Sequence, residues 1–216
     1  MMMIQYILEN HQKILSLTMQ HFYLFLISTI FAFLFGMLIS IFVTREGNEK
    51  IGRIIITMTA MGQAVPSIAV VALAFFFLGI GAKPAIFALI IYSMVPIIFN
   101  AGSGLLSVPP EIIEASKGIG LTKQQILWKI ELPLAVPVIM AGLRNAATIN
   151  IGTATIASII GGGGLGDLIF IGLRLNKNHL IFIGAGLAAL LALIVDTLLY
   201  FCEIQITPKG LQVVQS

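Results

Sequence analysis

The chain has 216 residues, of which 58% are hydrophobic and only 10% charged. A soluble domain of this size keeps roughly a quarter of its residues charged, so the composition excludes a cytosolic enzyme and a nucleic-acid binder and points to a protein largely solvated by lipid. The formal charge of +3 comes from 12 Lys+Arg against 9 Asp+Glu, placed in clusters between apolar runs, and therefore reports topology rather than an anionic partner.

In the first 20 residues, Ile4, Ile7, Leu8, Ile14 and Leu15 recur at helical spacing with Gln5, Glu9, Gln12 and Lys13 between them. No basic stretch precedes this run and no small-residue cleavage pattern follows it, so it reads as uncleaved. Residues 1–20 are expected either along the outer interface or as a short lead-in packed on the bundle.

About 20 residues at roughly 1.5 Å each cross a hydrocarbon core about 30 Å thick. Five stretches qualify: 22–43; 54–80, with Pro66 near its middle; 84–110, most apolar over 85–101; 134–160, containing Arg144; and 180–201, containing Asp196. The expected fold class is all-α integral membrane with about five transmembrane helices. Gly62, Gln63 and Pro66 interrupt the second span, as a hinge or a tolerated kink. Arg45, Lys50, Arg53, Lys117, Lys123, Lys129 and Lys209 flank the spans on one side, whereas Lys13, Lys83, Arg174 and Lys177 flank them on the other. The excess puts the long middle loop and the C-terminus in the cytosol and the N-terminus outside.

That loop, residues 108–133, carries the strongest signal. Pro109 and Pro110 precede Glu111 and Glu114, Lys123 and Lys129 come later, and Gly118 and Gly120 break the run. This is the pattern of a short helix outside the membrane, an element able to dock on a partner.

The fourth span presents Gly142, Ala146, Asn150, Ala154 and Ser158 at a spacing of four. Such a stripe is a helix-packing face within the subunit, or it meets a second subunit or lines a pathway. Arg144 and Asp196 lie at depths that differ by about one helical turn, which predicts an intramembrane ion pair; the rival is that each charge finds its own partners. Phe75, Phe76, Phe77, Tyr92 and Phe99 are available for cation–π contact but equally ordinary as lipid-facing filler, so no residue is assigned to substrate. The glycine run 161–164 with Gly166 follows a membrane helix rather than a strand and is expected as an irregular outer connection. No phosphate-binding G-x-x-x-x-G-K-[ST] loop occurs, no metal set is evident, and Cys202, the single cysteine, forms no internal disulfide.

The loop resembles the coupling loop of ABC importer permeases, whose pattern is E-A-A, three residues, G, nine residues, I, one residue, L-P: here Glu114, Ala115, Ser116, Gly120, Ile130, Leu132 and Pro133. Ser116 replaces the second alanine, a small-for-small change. The stretches G-Q-A-V-P-S at 62–67, G-I-G-A-K-P-A-I at 79–86, L-P-L-A-V-P-V-I-M-A-G-L-R at 132–144, I-G-T-A-T-I-A-S at 151–158, G-G-G-G-L-G-D-L-I-F at 161–170 and I-T-P-K-G-L at 206–211 are similar to the glycine betaine, carnitine and choline osmoprotectant permeases. The resemblance implies one permease domain over 1–216 with the type I importer fold, in a bacterial-type inner membrane. It also implies a non-enzymatic subunit with no cofactor of its own, ATP and Mg belonging to two copies of a partner ATPase. A second permease, identical or paralogous, and an extracytoplasmic substrate-binding protein complete the expected assembly. Ergothioneine or methionine import is the alternative within the class. An ion-driven secondary carrier is the alternative outside it, against which stand the missing internal repeat and the odd span count.

Overall fold

The computed structural model describes residues 2–208, so Lys209 and the end of the 206–211 stretch lie outside the described residues. Helix α1 (Met2–Glu9) is followed by α2 (His11–Val43), α3 (Glu49–Gly62), α4 (Ser67–Leu78) and α5 (Ala82–Leu106). The middle loop forms α6 (Pro110–Gly118) and α7 (Lys123–Ile126), and a π-helical turn (Leu127–Glu131) leads directly into α8 (Leu132–Ala157). A 3-10 turn (Ser158–Ile160), α9 (Gly166–Arg174) and α10 (Asn178–Ile206) complete the chain.

The first span begins much earlier than the apolar run at 22. Residues 11–43 form one helix of 33 residues, and only Met2–Glu9 is a separate element. Ile14 and Leu17 are buried against Leu165, Leu168, Leu180 and Ile183, so one face of the second half of the 1–20 segment packs on the bundle, the second of its two expected placements. Charge at Lys13 hides this from a hydropathy reading, because a helix continues wherever one face finds a partner.

The interruption in the second span is larger than a tolerated kink. α3 and α4 meet at 102° across Gln63–Pro66. Its ends nevertheless lie at opposite ends of the bundle. Arg45, just before α3, contacts Glu131 at the start of α8, whereas the Gly81 N–H, just after α4, donates to the carbonyl of Ile160 at 2.8 Å, past the other end of α8. These contacts fit one crossing by a broken span, which with the four long apolar helices gives five candidate spans among the described residues.

α5 packs against α2 on one side and α8 on the other, through small residues that let backbones approach. A Cβ on Gly36 would lie 2.7 Å from Ile97 Cγ2, and one on Gly142 would lie 2.6 Å from Asn100 Cβ. At the end away from α6, His21 is fully buried: Nδ1 faces the N–H of Leu165 at 3.3 Å and Nε2 faces the carbonyl of Ile151 at 3.1 Å. A backbone N–H only donates, so Nδ1 accepts and the proton sits on Nε2. This ties the glycine run to α2 and α8. Gly161, Gly163 and Gly164 all have positive φ, and a Cβ on Gly164 would press on His21 at about 3.0 Å, which explains an irregular connection built from glycine.

Candidate functional site

The loop between α5 and α8 divides into an anchored and a presented half. α6 starts with Pro110 at its first position and ends in Gly120 at φ +86°, with Gly120 N–H to Lys117 O at 3.0 Å and Leu121 N–H to Ser116 O at 3.1 Å. These two bonds define a left-handed glycine cap, so the glycine of the signature is required by backbone geometry. Thr122 and Gln125 then form a reciprocal capping box that starts α7. At the π turn, Leu132 N–H reaches back five residues to Leu127 O. Pro133 has no N–H with which to restore the tighter ladder at the next position.

Of the signature residues, Glu114, Ala115 and Gly120 are exposed. Ser116 is buried and its hydroxyl donates to Ile112 O at 2.7 Å, a local bond that alanine would lack. Ile130, Leu132 and Pro133 are half-buried at the root of α8, where Leu132 packs beside Ala101, Leu105, Ala135 and Ile139. The same loop also exposes Ile119, at 79%, and Trp128, at 67%. Both escaped the sequence reading, although an unpaired Trp in a charged, membrane-external loop is a signal for a docking anchor.

Arg144 and Asp196 lie together. Arg144 Nε reaches Asp196 Oδ1 at 2.9 Å and Nη2 reaches Oδ2 at 3.0 Å; Nη1 reaches Glu203 Oε2 at 3.1 Å. The guanidinium also sits 5.1 Å from the Tyr200 ring centroid. Tyr200 and Glu203 were not foreseen, yet they follow Asp196 at helical spacing, one turn and two turns later respectively, on the same face of α10.

The small stripe on α8 is covered from within the chain. Gly142, Ala146, Asn150, Ala154 and Ser158 are all buried, and Asn150 Nδ2 donates to Ser28 Oγ and Thr29 Oγ1 on α2, both at 2.8 Å. Within this chain the stripe is an internal packing face, the first of its two expected readings. The opposite face of α8 is uncovered: Ala141, Asn145, Thr148 and Gly152 are exposed, and nothing lies within 4 Å of a Cβ placed on Gly152. The exposed face of α2, by contrast, is Leu26, Ile30, Phe31, Leu34, Phe35 and Leu38, as lipid requires. Phe76 and Phe77 are likewise exposed on α4, while Tyr92 and Phe99 are half-buried on α5. Among the described residues no group of His, Cys, Asp and Glu is arranged to hold a metal.

Residues 32–206 match the model of the binding-protein-dependent transport system inner membrane component family. The chain is 40% identical over 210 residues to the glycine betaine/carnitine/choline transport system permease protein OpuCB of Bacillus subtilis, covering 97% of this chain and 96% of that protein. It is 42% identical over 195 residues to the osmoprotectant import permease protein OsmY of Salmonella typhimurium, covering 90% and 83%. Its fold is that of the MetNI methionine ABC transporter in an inward-facing conformation, at a TM-score of 0.77 and 22% identity over 90% of this chain and 96% of that one. The chain belongs to the family of binding-protein-dependent transport system inner membrane components.

Proposed function

We propose that this member of the binding-protein-dependent permeases is the membrane subunit of an ATP-driven importer for quaternary amine osmoprotectants of the glycine betaine, carnitine and choline type. The observation that carries the reading is the loop, where Glu114, Ala115, Ile119 and Trp128 are all exposed on a charged segment between α5 and α8. Such a surface fits a groove on a partner protein. Two copies of an ATPase, carrying ATP and Mg, dock there on the cytosolic side, which also takes the C-terminus. A substrate-binding protein delivers ligand to the outer side. The names of the relatives support the substrate class; the likeness to the methionine transporter supports only the fold.

The uncovered face of α8 is assigned to the second permease and the pathway between the two. A polar Asn145 and a mid-helix Gly152 are poor lipid-facing residues, since each is disfavoured there unless another backbone or water approaches. The test is uptake of labelled glycine betaine, carnitine and choline by vesicles holding this chain with its ATPase and binding protein. Uptake of at least one, abolished by an inactive ATPase, is the expected result; uptake that persists without ATP hydrolysis, or none of the three, overturns the proposal.

A further inference from the structure

The turn between α2 and α3 and the coupling loop are joined by charge. Arg45 Nη1 bonds Glu131 Oε2 at 2.6 Å, while its Nε donates to Ile41 O at 3.1 Å and its Nη2 to Thr44 Oγ1 at 3.2 Å. One guanidinium thus binds a carbonyl and a hydroxyl at the end of α2 together with Glu131 in the π turn at the root of α8. Glu131 is only 8% exposed and sits between the signature residues Ile130 and Leu132. A second, exposed connection runs from Glu46 to Lys117 and to Lys123, the latter at 2.8 Å. Between these contacts lies a cleft of about 310 Å³ that includes Ile113, Ile126 and Leu127 in its walls. Across that cleft the turn is held by ionic contacts.

The turn is closed by its own hydrogen bonds. Asn48 N–H bonds Arg45 O at 3.0 Å, Asn48 Nδ2 bonds Phe42 O at 2.9 Å, and Gly52 N–H bonds Asn48 O at 2.7 Å. Any side chain at position 52 would run into the carbonyl of Val43, so the first turn of α3 is seated directly on the end of α2. From there α3 runs unbroken to Gly62, where the chain bends by 102°. The turn is therefore linked by one continuous helix to the break in the second span.

We infer that Arg45 and Glu131 are positioning residues for transport: they carry movement of the coupling loop through α3 into the broken span, with Glu46 as a weaker parallel connection. The inference rests on the docking role proposed above. An exposed pair such as Glu46 with its lysines is screened by water and contributes little; the shielded Arg45–Glu131 pair contributes more.

The experiment uses the full chain reconstituted with its ATPase and binding protein, comparing Arg45→Ala, Arg45→Lys and Glu131→Gln with the parent. Each complex should assemble with the normal amount of ATPase and keep its basal hydrolysis. Stimulation by loaded binding protein should fall by about tenfold in Arg45→Ala, as expected for loss of a charge-assisted hydrogen bond. Arg45→Lys should fall nearly as far, because one ammonium cannot serve three acceptors arranged for a planar fork. Glu46→Lys should reduce stimulation by about twofold, restored when Lys117→Glu and Lys123→Glu are added, consistent with an exposed pair. Normal stimulation in Arg45→Ala and Glu131→Gln overturns the inference, and so does loss of ATPase from the complexes, which marks a docking or folding defect. A parent complex with neither stimulation nor uptake defeats the importer reading itself and removes the premise.

Discussion

Arg144 holds Asp196 by two parallel hydrogen bonds, 2.9 and 3.0 Å long, between residues 52 positions apart on α8 and α10. The planar fork of arginine matches the two carboxylate oxygens. Both groups lie within spans, where an unpaired charge costs at least a few kcal/mol. Glu203 takes the remaining nitrogen at 3.1 Å, so the unit is one cation between two carboxylates.

That arrangement predicts unequal single mutants. Asp196→Ala leaves Arg144 on Glu203, whereas Arg144→Ala strands two carboxylates and should reduce folded yield more. The double mutant should lose less than the sum, by about 1–3 kcal/mol of coupling. Thermal or denaturant stability in detergent measures this; simple additivity would mean that the contact carries no energy.

Gly120→Val should impair coupling through backbone strain. Its φ of +86° disfavours any side chain, yet nothing lies within 4 Å of an added Cβ, so the cost is a displaced loop rather than a clash. With Glu114→Lys and Trp128→Ala, it is expected to leave membrane insertion intact and lower ATPase stimulation in vesicles. Normal stimulation in all three would remove the docking surface.

Two glycines on the same helix should behave oppositely. Gly142→Ala places a Cβ 2.6 Å from Asn100 and 3.2 Å from Pro96 O, and should destabilise the subunit by about 1–3 kcal/mol through overpacking. Gly152→Ala meets nothing in this chain and should be neutral or slightly stabilising, by up to about 1 kcal/mol. Gly152→Leu should fold normally and still block uptake. Unimpaired uptake would return that face of α8 to lipid.

Glu46 should stay ionised far into acid. Its hydrogen bonds to Lys117 and Lys123 hold its carboxyl down at about 2 against an ordinary 4.5. A depressed carboxylate pKa gives stability that is present above the unfolded value and lost as pH falls through the folded one. Any contribution from this contact is therefore constant from neutral pH down to about 4.5 and declines only toward about 2. A carboxyl-specific NMR or infrared titration tests the position of the midpoint, and a midpoint near 4.5 would show that the lysines do not hold it.

Topology is tested with single cysteines in a Cys202→Ser background, since Cys202 is exposed. Labels at positions 123 and 177, exposed at opposite ends of the bundle, should react from the cytosolic and outer sides respectively. Swapped accessibility inverts the orientation and the docking assignment together.

The sequence by itself determined the membrane class, the presence of a charged loop with short helices between α5 and α8 and the possibility of the Arg144–Asp196 pair, because these depend on local composition, on a fixed spacing and on depth along regular helices. It marked residues 63–66 as an interruption but not as a break of 102°, since the angle depends on what α3 and α4 pack against. It found the small stripe at Gly142–Ser158 without saying what covers it. Only the tertiary structure placed α2 and α5 over that face and left Asn145, Thr148 and Gly152 bare. In the same way Ile14 and Leu17 became core through contact with Leu165, Leu168 and Leu180. Arg45 and Glu131 met across 86 residues. Periodicity tells which residues share a helix face; which neighbour that face meets is set by long-range packing, which no local pattern encodes.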